Sequence, residues 1–554
     1  MPLFIDCLLP RARRFPFRRQ IANLVSLAIA IGYCCAGVAR GDVSLPAIFS
    51  DNMVLQHLQD VNVWGKADPA ESVTVQLGPE TTQTVAGKDG SWRVRLPGLP
   101  SGGPYDLTVS GKNSVTIRNV AIGEVWVCAG ESNMEYKVIA SRNGQKEMAD
   151  GNLPMVRVFV VKHAASETPQ GDCEGSWVVC DPDTVRDFSA VGFFFARELN
   201  RGMRMPFGII ESAWGPSPAE AWTPLGTLEK DPALHVTLDR YNEAAKAYPA
   251  AQSDYAGKLA DWQTAAAGAK AAGTVVPPKP VPPLAPAPQR EPAALYNGMI
   301  APLQHFAIRG VLWYQGESNV YDAGLYAKLF PAMIEAWRAG WGEGEFPFLY
   351  VQLSSFLWRH PQPEESSWAE LREAQAAALK VPKTGMAVSA DIGDEHEMHP
   401  ANKQDVAHRL VLLAESQAYG QPTEAVGPMY SGMQVEDGKA VITFTHAGGG
   451  LVARNGAAVK GFELAGADRQ FAWADARIDG EKVIVHSKDV PEPLAVRYGW
   501  ADCPECDLFN QAGLPVAPFR TDEWVAGVAD SGQAVAGASP AASPGKKKHR
   551  RIDN

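Results

Sequence analysis

The chain has 554 residues, a formal net charge of −11 at pH 7 and 46% hydrophobic residues. This length allows two to four domains, and this apolar fraction is ordinary for soluble globular proteins with large cores. The acidic balance argues against nucleic acid and anionic membrane surfaces as partners.

Residues 1–39 have the features of an export signal. Five arginines lie within residues 11–19, a mostly apolar run follows at residues 21–33, and small residues at positions 37–39 offer a cleavage site. The apolar run is short for a membrane span, which favours cleavage over an uncleaved anchor. The sequence therefore predicts an exported protein, periplasmic or extracellular, that begins near Arg40 and has no stable membrane insertion after cleavage.

Residues 43–118 are predicted to form a small N-terminal β domain. The segments 61–65, 73–77 and 92–96 mostly alternate apolar with polar residues, and turn-forming clusters lie between them. Regular short strands separated by Gly and Pro are typical of a β-sandwich.

The hydrophobic period changes after Ala121. Apolar strands at 156–161, 207–210 and 348–353 now alternate with helical patterns. This alternation predicts an α/β domain with a mainly parallel sheet over residues 119–425. An Ala-rich helical stretch followed by a Pro-rich spacer, together residues 226–290, is interpreted as an insertion into that domain.

The pattern returns to β from about residue 426, so residues 426–527 are predicted to form a C-terminal β domain. Residues 528–554 are rich in Ala, Ser, Gly, Lys and Arg. Such a tail cannot bury a core and is predicted to be disordered.

Five cysteines follow the predicted signal. In an oxidising compartment, Cys173 with Cys180 and Cys503 with Cys506 could form local disulfides. The second pair could instead be a redox or half-zinc motif, although a lone C-x-x-C is weak evidence for zinc.

The tetrapeptide Gly-Glu-Ser-Asn occurs twice, each time after an apolar segment with the pattern of a buried strand. The first copy is residues 130–133 and the second is residues 316–319. A Ser at the tip of a parallel strand, flanked by small residues, is where α/β hydrolytic enzymes place a nucleophile. The sequence predicts Ser132 as the nucleophile and leaves Ser318 as its rival.

His399 is the leading candidate for the base that Ser132 would need, because an isolated alcohol is a weak nucleophile at neutral pH. Pro400 fixes the backbone after it and a helical pattern follows, so the imidazole would lie on a loop at the strand ends. The alternative is a histidine that only caps a helix or fills a loop.

Donors for a tetrahedral oxyanion are available near the predicted strand ends. The Ser132 N–H is one, and Gly215 ends another strand and can bring its N–H close to a ligand. The side-chain amides of Gln315 and Asn319 are further candidates. Each amide could equally satisfy the backbone of a buried loop, which is the commoner role.

Five blocks of sequence carry a more specific signal. They are residues 124–135, residues 295–303, residues 310–319, His399-Pro400 with Lys403 and Arg409-Leu410, and the C-terminal segments within 496–522. Together they resemble the sialate O-acetylesterase family of SGNH hydrolases, over about residues 43–527. The resemblance implies an SGNH-type three-layer α/β hydrolase domain, flanked by N-terminal and C-terminal β-sandwich-like segments.

The resemblance also implies an activity. It is that of a serine carboxylic ester hydrolase that removes O-acetyl groups from sialic acid or other acetylated glycans, with no metal or organic cofactor. In this family pattern Ser132 is the nucleophile that carries the acetyl group, His399 is the base, and the blocks at Gly215 and at Gln315–Asn319 line the oxyanion hole.

Three positions depart from the family pattern. Glu131 stands where Gln usually precedes the nucleophile, and Pro216-Ser217 stands where Gly-Thr usually follows Gly215. Pro216 has no N–H to donate to an oxyanion hole. His396 occupies the position three residues before the catalytic His where a typical SGNH enzyme has Asp.

Asp391 is the predicted partner of His399, because it follows the strand-like segment 386–390 and so lies at a strand end. Asp394 and Glu397 are the alternatives, and a Ser132–His399 dyad is a further arrangement. The departures also keep a second function class open, a non-catalytic carbohydrate-binding surface protein on the same fold. The intact Ser and His argue against that class.

Overall fold

The computed structural model describes residues 42–524, except 455 and 457. The predicted signal peptide at 1–39 and the predicted tail at 528–554 lie outside the described residues. Within them, a large mixed sheet is packed between helices, and smaller β-sheets flank it. The predicted fold class, α/β with flanking β segments, is confirmed. No helix between residues 42 and 524 is both long and apolar enough to span a membrane.

The N-terminal β region consists of short antiparallel pairs. β5 shows why the residues form strands: Trp92, Val94 and Leu96 are buried, and the residues between them are exposed, as the pleat of a strand requires. β2 pairs with β5, and β3 pairs with β4 and β6. The strands are β1 (Val54–Gln56), β2 (Val61–Lys66), β3 (Ser72–Leu77), β4 (Glu80–Val85), β5 (Ser91–Leu96) and β6 (Gly102–Ser110).

The next strand, β7 (Ser114–Gly130), joins the N-terminal region to the main sheet. Its first half pairs antiparallel with β6, and its second half pairs parallel with two strands of the main sheet. All residues from Val120 to Gly130 are buried, because this half is covered on both faces. The predicted boundary between residues 118 and 119 thus falls inside one continuous strand.

The main sheet has the strand order β13-β12-β11-β7-β10-β8-β9, parallel except for the edge strand β9. Its remaining strands are β8 (Leu153–Val160), β9 (Trp177–Cys180), β10 (Phe207–Ala213), β11 (Gly310–Tyr314), β12 (Phe348–Val351) and β13 (Thr384–Ala387). The helices of the described residues are α1 (Ser132–Glu135), α2 (Gly144–Ala149), α3 (Ala190–Met203), α4 (Leu225–Lys230), α5 (Pro232–Ala272), α6 (Ala323–Trp341), α7 (Ser367–Ala377) and α8 (Lys403–Gln417).

Helices cover both faces of the main sheet. Along β7, Val127 belongs to the hydrophobic cluster on the α6 and α7 side, whereas Trp126 and Cys128 belong to the cluster on the α3 and α8 side. The result is the three-layer arrangement of an α/β hydrolase. The parallel strands β7, β10 and β11 are neighbours, and they end side by side at Gly130, Ala213 and Tyr314.

The stretch predicted as an insertion forms α4 and the 41-residue helix α5. Residues 274–287 after it have no regular secondary structure. The predicted alternation of strands and helices resumes at β11, which re-enters the main sheet beside β7.

The C-terminal β region has its own hydrophobic cluster. Arg372 of α7 is fully buried and joins this region to the α/β part, because its guanidinium donates to the backbone oxygens of Ala501 and Asp502. All five cysteines of the described residues are free thiols, so neither local disulfide is present. The strands are β14 (Met429–Glu436), β15 (Lys439–Thr445), β16 (Leu451–Ala453), β17 (Phe462–Ala465), β18 (Phe471–Trp473), β19 (Asp475–Asp479), β20 (Lys482–His486), β21 (Ala495–Tyr498), β22 (Leu508–Asn510) and β23 (Phe519–Arg520).

Candidate active site

Ser132 and His399 meet at the carboxyl ends of the parallel strands. β7 ends at Gly130, and α1 begins at Ser132. His399 lies on the loop between β13 and α8, and its Nε2 is 2.8 Å from Ser132 Oγ. The fold therefore brings together, within hydrogen-bond reach, a hydroxyl and an imidazole that are 267 positions apart in the chain.

Ser318, the rival nucleophile, has a different environment. Its hydroxyl donates a hydrogen bond of 2.7 Å to Glu131 Oε2. A carboxylate that also accepts backbone N–H groups is a weak base. The geometry therefore favours Ser132 over Ser318.

The acid beside His399 is Glu397, and the sequence-based choice of Asp391 is corrected. Glu397 Oε1 lies 3.6 Å from His399 Nδ1 and accepts the His399 backbone N–H at 2.9 Å. Asp391 is instead held by Arg409 at 2.6 and 2.8 Å and by Arg454 at 2.9 Å. Its side chain is only 1% exposed. The sequence placed Asp391 at a strand end correctly but could not show that two arginines occupy its carboxylate.

Asp394, the other alternative, stabilises the loop itself. Its Oδ1 accepts the backbone N–H groups of His396 and Glu397 at 2.7 and 3.1 Å. This side-chain turn holds Glu397 in the position from which its carboxylate reaches His399.

The surroundings of His399 keep the imidazole neutral. Burial lowers its pKa below the usual 6.5, and the positive charge of Lys403 lowers it further, while Glu397 and Glu131 act in the opposite direction. A neutral imidazole at neutral pH is the form that accepts a proton from a hydroxyl. The electrostatics of His399 therefore suit a general base.

Gly215 abuts Ser132. A Cβ at Gly215 would lie 2.3 Å from the backbone N of Ser132 and 2.6 Å from its Cβ, so only glycine fits this approach. The Gly215 N–H donates to Glu135 Oε2 at 3.1 Å. The structure thus places Gly215 at the candidate nucleophile, with its N–H accepted by a carboxylate of α1.

Gln315 and Asn319 use their amides in structural hydrogen bonds. Gln315 Nε2 donates to the backbone O of Ser217 at 3.2 Å and to Asn319 Oδ1 at 2.7 Å. Asn319 Nδ2 donates to Glu220 Oε2 at 2.9 Å, and its Oδ1 accepts the Ala219 N–H at 2.8 Å. These amides brace the loop after β10, so the expectation that they donate to an oxyanion is corrected.

Glu131 explains one departure from the family pattern. Its carboxylate accepts the backbone N–H groups of Gly316, Ser318 and Ser217, at 3.0, 3.2 and 3.3 Å. Together with the Ser318 hydroxyl, all four partners are donors. A carboxylate, which only accepts, suits this position fully. Glu131 therefore ties the second tetrapeptide to the first.

A buried network beside Ser132 was not predicted from the sequence. Asn133 Nδ2 donates to Met398 O at 3.1 Å and to Glu317 Oε1 at 2.5 Å, and Lys403 Nζ donates to Asn133 Oδ1 at 2.5 Å. Burial lowers the pKa of Lys403 to about 7 and raises that of Glu317 to about 8. Because Met398 immediately precedes His399, this network fixes the base relative to the candidate nucleophile. The only sequence signals were the position of Asn133 next to Ser132 and Lys403 in a matched block.

Trp214 and His163 form a partly exposed stacked pair next to Gly215. Their ring centroids are 4.4 Å apart with an interplanar angle of 2°. His163 Nε2 lies 3.2 Å from Glu135 Oε1, and Glu135 also accepts the Gly215 N–H. This aromatic surface is therefore linked through Glu135 to the backbone at Ser132.

Comparisons with known proteins agree with this site. A family model described as carbohydrate esterase, sialic acid-specific acetylesterase, matches residues 287–411. The sialate O-acetylesterase of Rattus norvegicus is 30% identical over 85% of this chain and 93% of its own length. The sialate O-acetylesterase of Homo sapiens is 28% identical over 85% of this chain and 91% of its own length.

A solved structure extends the comparison to the fold. The crystal structure of a carbohydrate acetylesterase from Xanthomonas citri is 37% identical, covers 87% of this chain and all of its own, and superposes with a TM-score of 0.75. The resemblance seen in the sequence blocks is thereby confirmed, and the comparisons give no support to a non-catalytic binding protein. The chain belongs to the sialate O-acetylesterase family and is a carboxylic ester hydrolase that removes O-acetyl groups.

Proposed function

We propose that this esterase deacetylates sugars through an acetyl-enzyme on Ser132, with His399 as general base and Glu397 orienting the imidazole. The observation that carries the proposal is the 2.8 Å contact between Ser132 Oγ and His399 Nε2. That distance is within the range over which a base takes a hydroxyl proton.

The reaction has two halves. Ser132 Oγ attacks the acetyl carbonyl carbon while His399 Nε2 takes the hydroxyl proton, and the same proton then goes to the departing sugar oxygen as the ester C–O bond breaks. In the second half, His399 takes a proton from water, the resulting hydroxide attacks the acetyl-Ser132 carbonyl, and acetic acid leaves. Glu397 stabilises the imidazolium that forms in both halves.

The proposed oxyanion donors are the backbone N–H groups of Ser132 and Gly215. Ser132 is the first residue of α1, where N–H groups have no partner within a helix. The Gly215 N–H reaches the oxyanion when it turns from Glu135 Oε2, 3.1 Å away. Donors of this kind stabilise the charge that develops on the carbonyl oxygen.

The substrate proposed is an O-acetylated neutral sugar in preference to a free acetylated sialic acid. Two carboxylates flank Ser132: Glu397, whose side chain is 57% exposed, and Glu135, at 28%. Both repel the carboxylate of a sialic acid, whereas a neutral sugar carries no such penalty. The sialate specificity in the names of the mammalian relatives and the broader title of the Xanthomonas citri protein bracket these possibilities. Acetate release from acetylated xylo-oligosaccharides and from 9-O-acetyl-N-acetylneuraminic acid would compare them directly.

An exported location is part of the proposal, because the N-terminal pattern of residues 1–39 fits a cleaved signal. N-terminal sequencing of protein from its native host should find a first residue near Arg40. Recovery of Met1 or Pro2 at the N-terminus would contradict it.

Hydrolysis of p-nitrophenyl acetate by purified protein tests the nucleophile. Ser132→Ala should abolish turnover while the thermal unfolding midpoint stays near that of the wild type. Ser318→Ala, the matched change in the second tetrapeptide, should keep most of the activity because its hydroxyl contacts only Glu131. The reverse result would assign the nucleophile to Ser318.

A further inference from the structure

A second cavity lies between the loop after β12 and the C-terminal β region. Its volume is about 490 Å³. One side is formed by the loop residues 359–364, and the other side is formed by parts of β17 and β18 and by residues 503–505. Neither Ser132 nor His399 lines it.

Glu463 of β17 faces this cavity with an unsatisfied carboxyl group. Its side chain lines the cavity, the residue is 1% exposed, and neither carboxyl oxygen has a hydrogen-bond partner among the described residues. Its cross-strand neighbour Arg497 already binds Asp522 at 2.9 and 3.1 Å and Glu365 at 3.0 Å. A buried polar group without a partner is costly, which points to a ligand that supplies one.

The Glu463 carboxyl is suited to bind hydroxyl groups. Burial raises its pKa to about 8, so it is mainly neutral at pH 7. A neutral carboxyl both donates and accepts a hydrogen bond, as a sugar hydroxyl does. The unsatisfied group therefore matches a polyhydroxyl ligand in both senses.

Trp473 supplies an aromatic wall. It lies opposite Glu463 in the β17–β18 pair, is 39% exposed, and its indole Nε1 donates to Pro361 O at 3.0 Å. This hydrogen bond holds the ring against the loop that forms the other side of the cavity. A fixed, partly exposed indole offers a flat apolar face with low conformational cost, as stacking on the C–H face of a sugar requires.

The charges around the cavity are already paired. Glu505 binds Arg359 at 3.3 Å and Lys460 at 2.9 Å, and Glu364 binds His360 at 2.7 Å. These cations are therefore committed to carboxylates and do not attract an anionic ligand. The pairing favours a neutral ligand over a phosphate or a sialate.

The cavity is connected to the candidate active site. A smaller cavity of about 220 Å³ shares Arg359, Lys460 and Glu505 with it and extends to Asp391 and Gly393. Those two residues begin the loop that carries His399. A chain of sugar residues that leaves Ser132 along this loop reaches the second cavity.

We propose that this cavity is a subsite for a neutral sugar residue of the glycan that is deacetylated at Ser132, with Trp473 stacking on the ring and Glu463 binding its hydroxyls. The inference rests on the proposed function and adds the substrate class, an acetylated oligosaccharide or polysaccharide in place of a single sugar.

Steady-state kinetics with acetylated xylotetraose and acetylated cellotetraose, beside p-nitrophenyl acetate, test the subsite. Trp473→Ala and Glu463→Leu should each raise KM for the better tetrasaccharide about five- to tenfold, with kcat nearly unchanged. Glu463→Gln should stay near the wild type, because a neutral amide also donates and accepts. Hydrolysis of p-nitrophenyl acetate, which is too small to reach the cavity, should be unaltered in all three variants.

Trp262→Ala is the matched control. Trp262 is also partly exposed and donates its Nε1 to a proline oxygen, Pro277 O at 2.8 Å, but it lies on α5 and does not line the cavity. Its KM should not change. Calorimetric titration of unacetylated xylotetraose and cellotetraose into the full-length Ser132→Ala protein measures the subsite without turnover, and Trp473→Ala should remove the binding.

The outcomes separate the two proposals. If the wild type deacetylates a tetrasaccharide and Trp473→Ala leaves KM unchanged, the subsite is wrong and the proposed function stands. If the wild type releases no acetate from any of the three esters, the proposed function fails, and the titrations alone decide the subsite. The absence of binding to both tetrasaccharides in the titrations overturns the subsite.

Discussion

Replacing Glu397 by Gln tests the corrected assignment of the acid. The carboxylate lies 3.6 Å from His399 Nδ1, with side chains 57% and 33% exposed. At that separation, the interaction of a full charge with an imidazolium is about 1 kcal/mol at the dielectric constant of water and about 2 kcal/mol at half that value. The exposure of Glu397 places the pair in this solvent-screened range. We therefore expect kcat/KM to fall about 5- to 30-fold.

The comparison with Asp391→Asn and Asp394→Asn makes the test specific. Asp391 is buried and paired with two arginines, so Asp391→Asn should cost about 3–5 kcal/mol of stability. Its main effect should be a lower urea midpoint. Asp394→Asn should change little, because an amide oxygen can accept the same two backbone N–H groups.

The assay is p-nitrophenyl acetate hydrolysis at pH 7.5 with urea unfolding followed by fluorescence on the same preparations. A silent Glu397→Gln together with an inactive Asp391→Asn of unchanged stability would refute the reasoning. Wild-type activity in all three variants would instead indicate a Ser132–His399 dyad.

Three further predictions concern the same site. The pH profile of kcat/KM should lose activity on the acid side with a midpoint below 6.5, because burial and Lys403 lower the pKa of His399 and only the neutral imidazole accepts a proton; a midpoint above 7 would contradict this assignment. Lys403→Met removes the charge that opposes protonation of His399, so the acid limb should move to higher pH, and an unmoved limb would show that the lysine does not act on the imidazole. Gly215→Ala should reduce kcat at least about 100-fold, since its Cβ would lie 2.3 Å from the Ser132 N, and near-normal turnover in a folded variant would count against Gly215 at the oxyanion.

The sequence by itself determined the fold class and the two central residues of the site. The alternation of Trp92, Val94 and Leu96 and the apolar segments ahead of each tetrapeptide are local patterns, and local patterns set the secondary structure. Once β7, β10 and β11 are parallel neighbours, their ends must lie at one edge of the sheet. Ser132 and His399 could therefore be placed together before any coordinates were known.

Only the tertiary structure decided which polar groups are already in use. Asp391, Gln315 and Asn319 have suitable chemistry and lie at the right edge of the sheet, but their oxygens and amides are bound to Arg409, Arg454 and the loop after β10. Hydrogen-bond partners far apart in the chain depend on side-chain directions and loop paths that no periodicity encodes.

The same reason applies to the features that the sequence did not reveal. The Asn133 network joins residues separated by 184, 265 and 270 positions, and the Glu463 cavity exists only where the C-terminal β region packs against a loop of the α/β part. A carboxyl group looks the same in a sequence whether it is solvated, paired or buried without a partner. Its function follows from which of these the packed structure imposes.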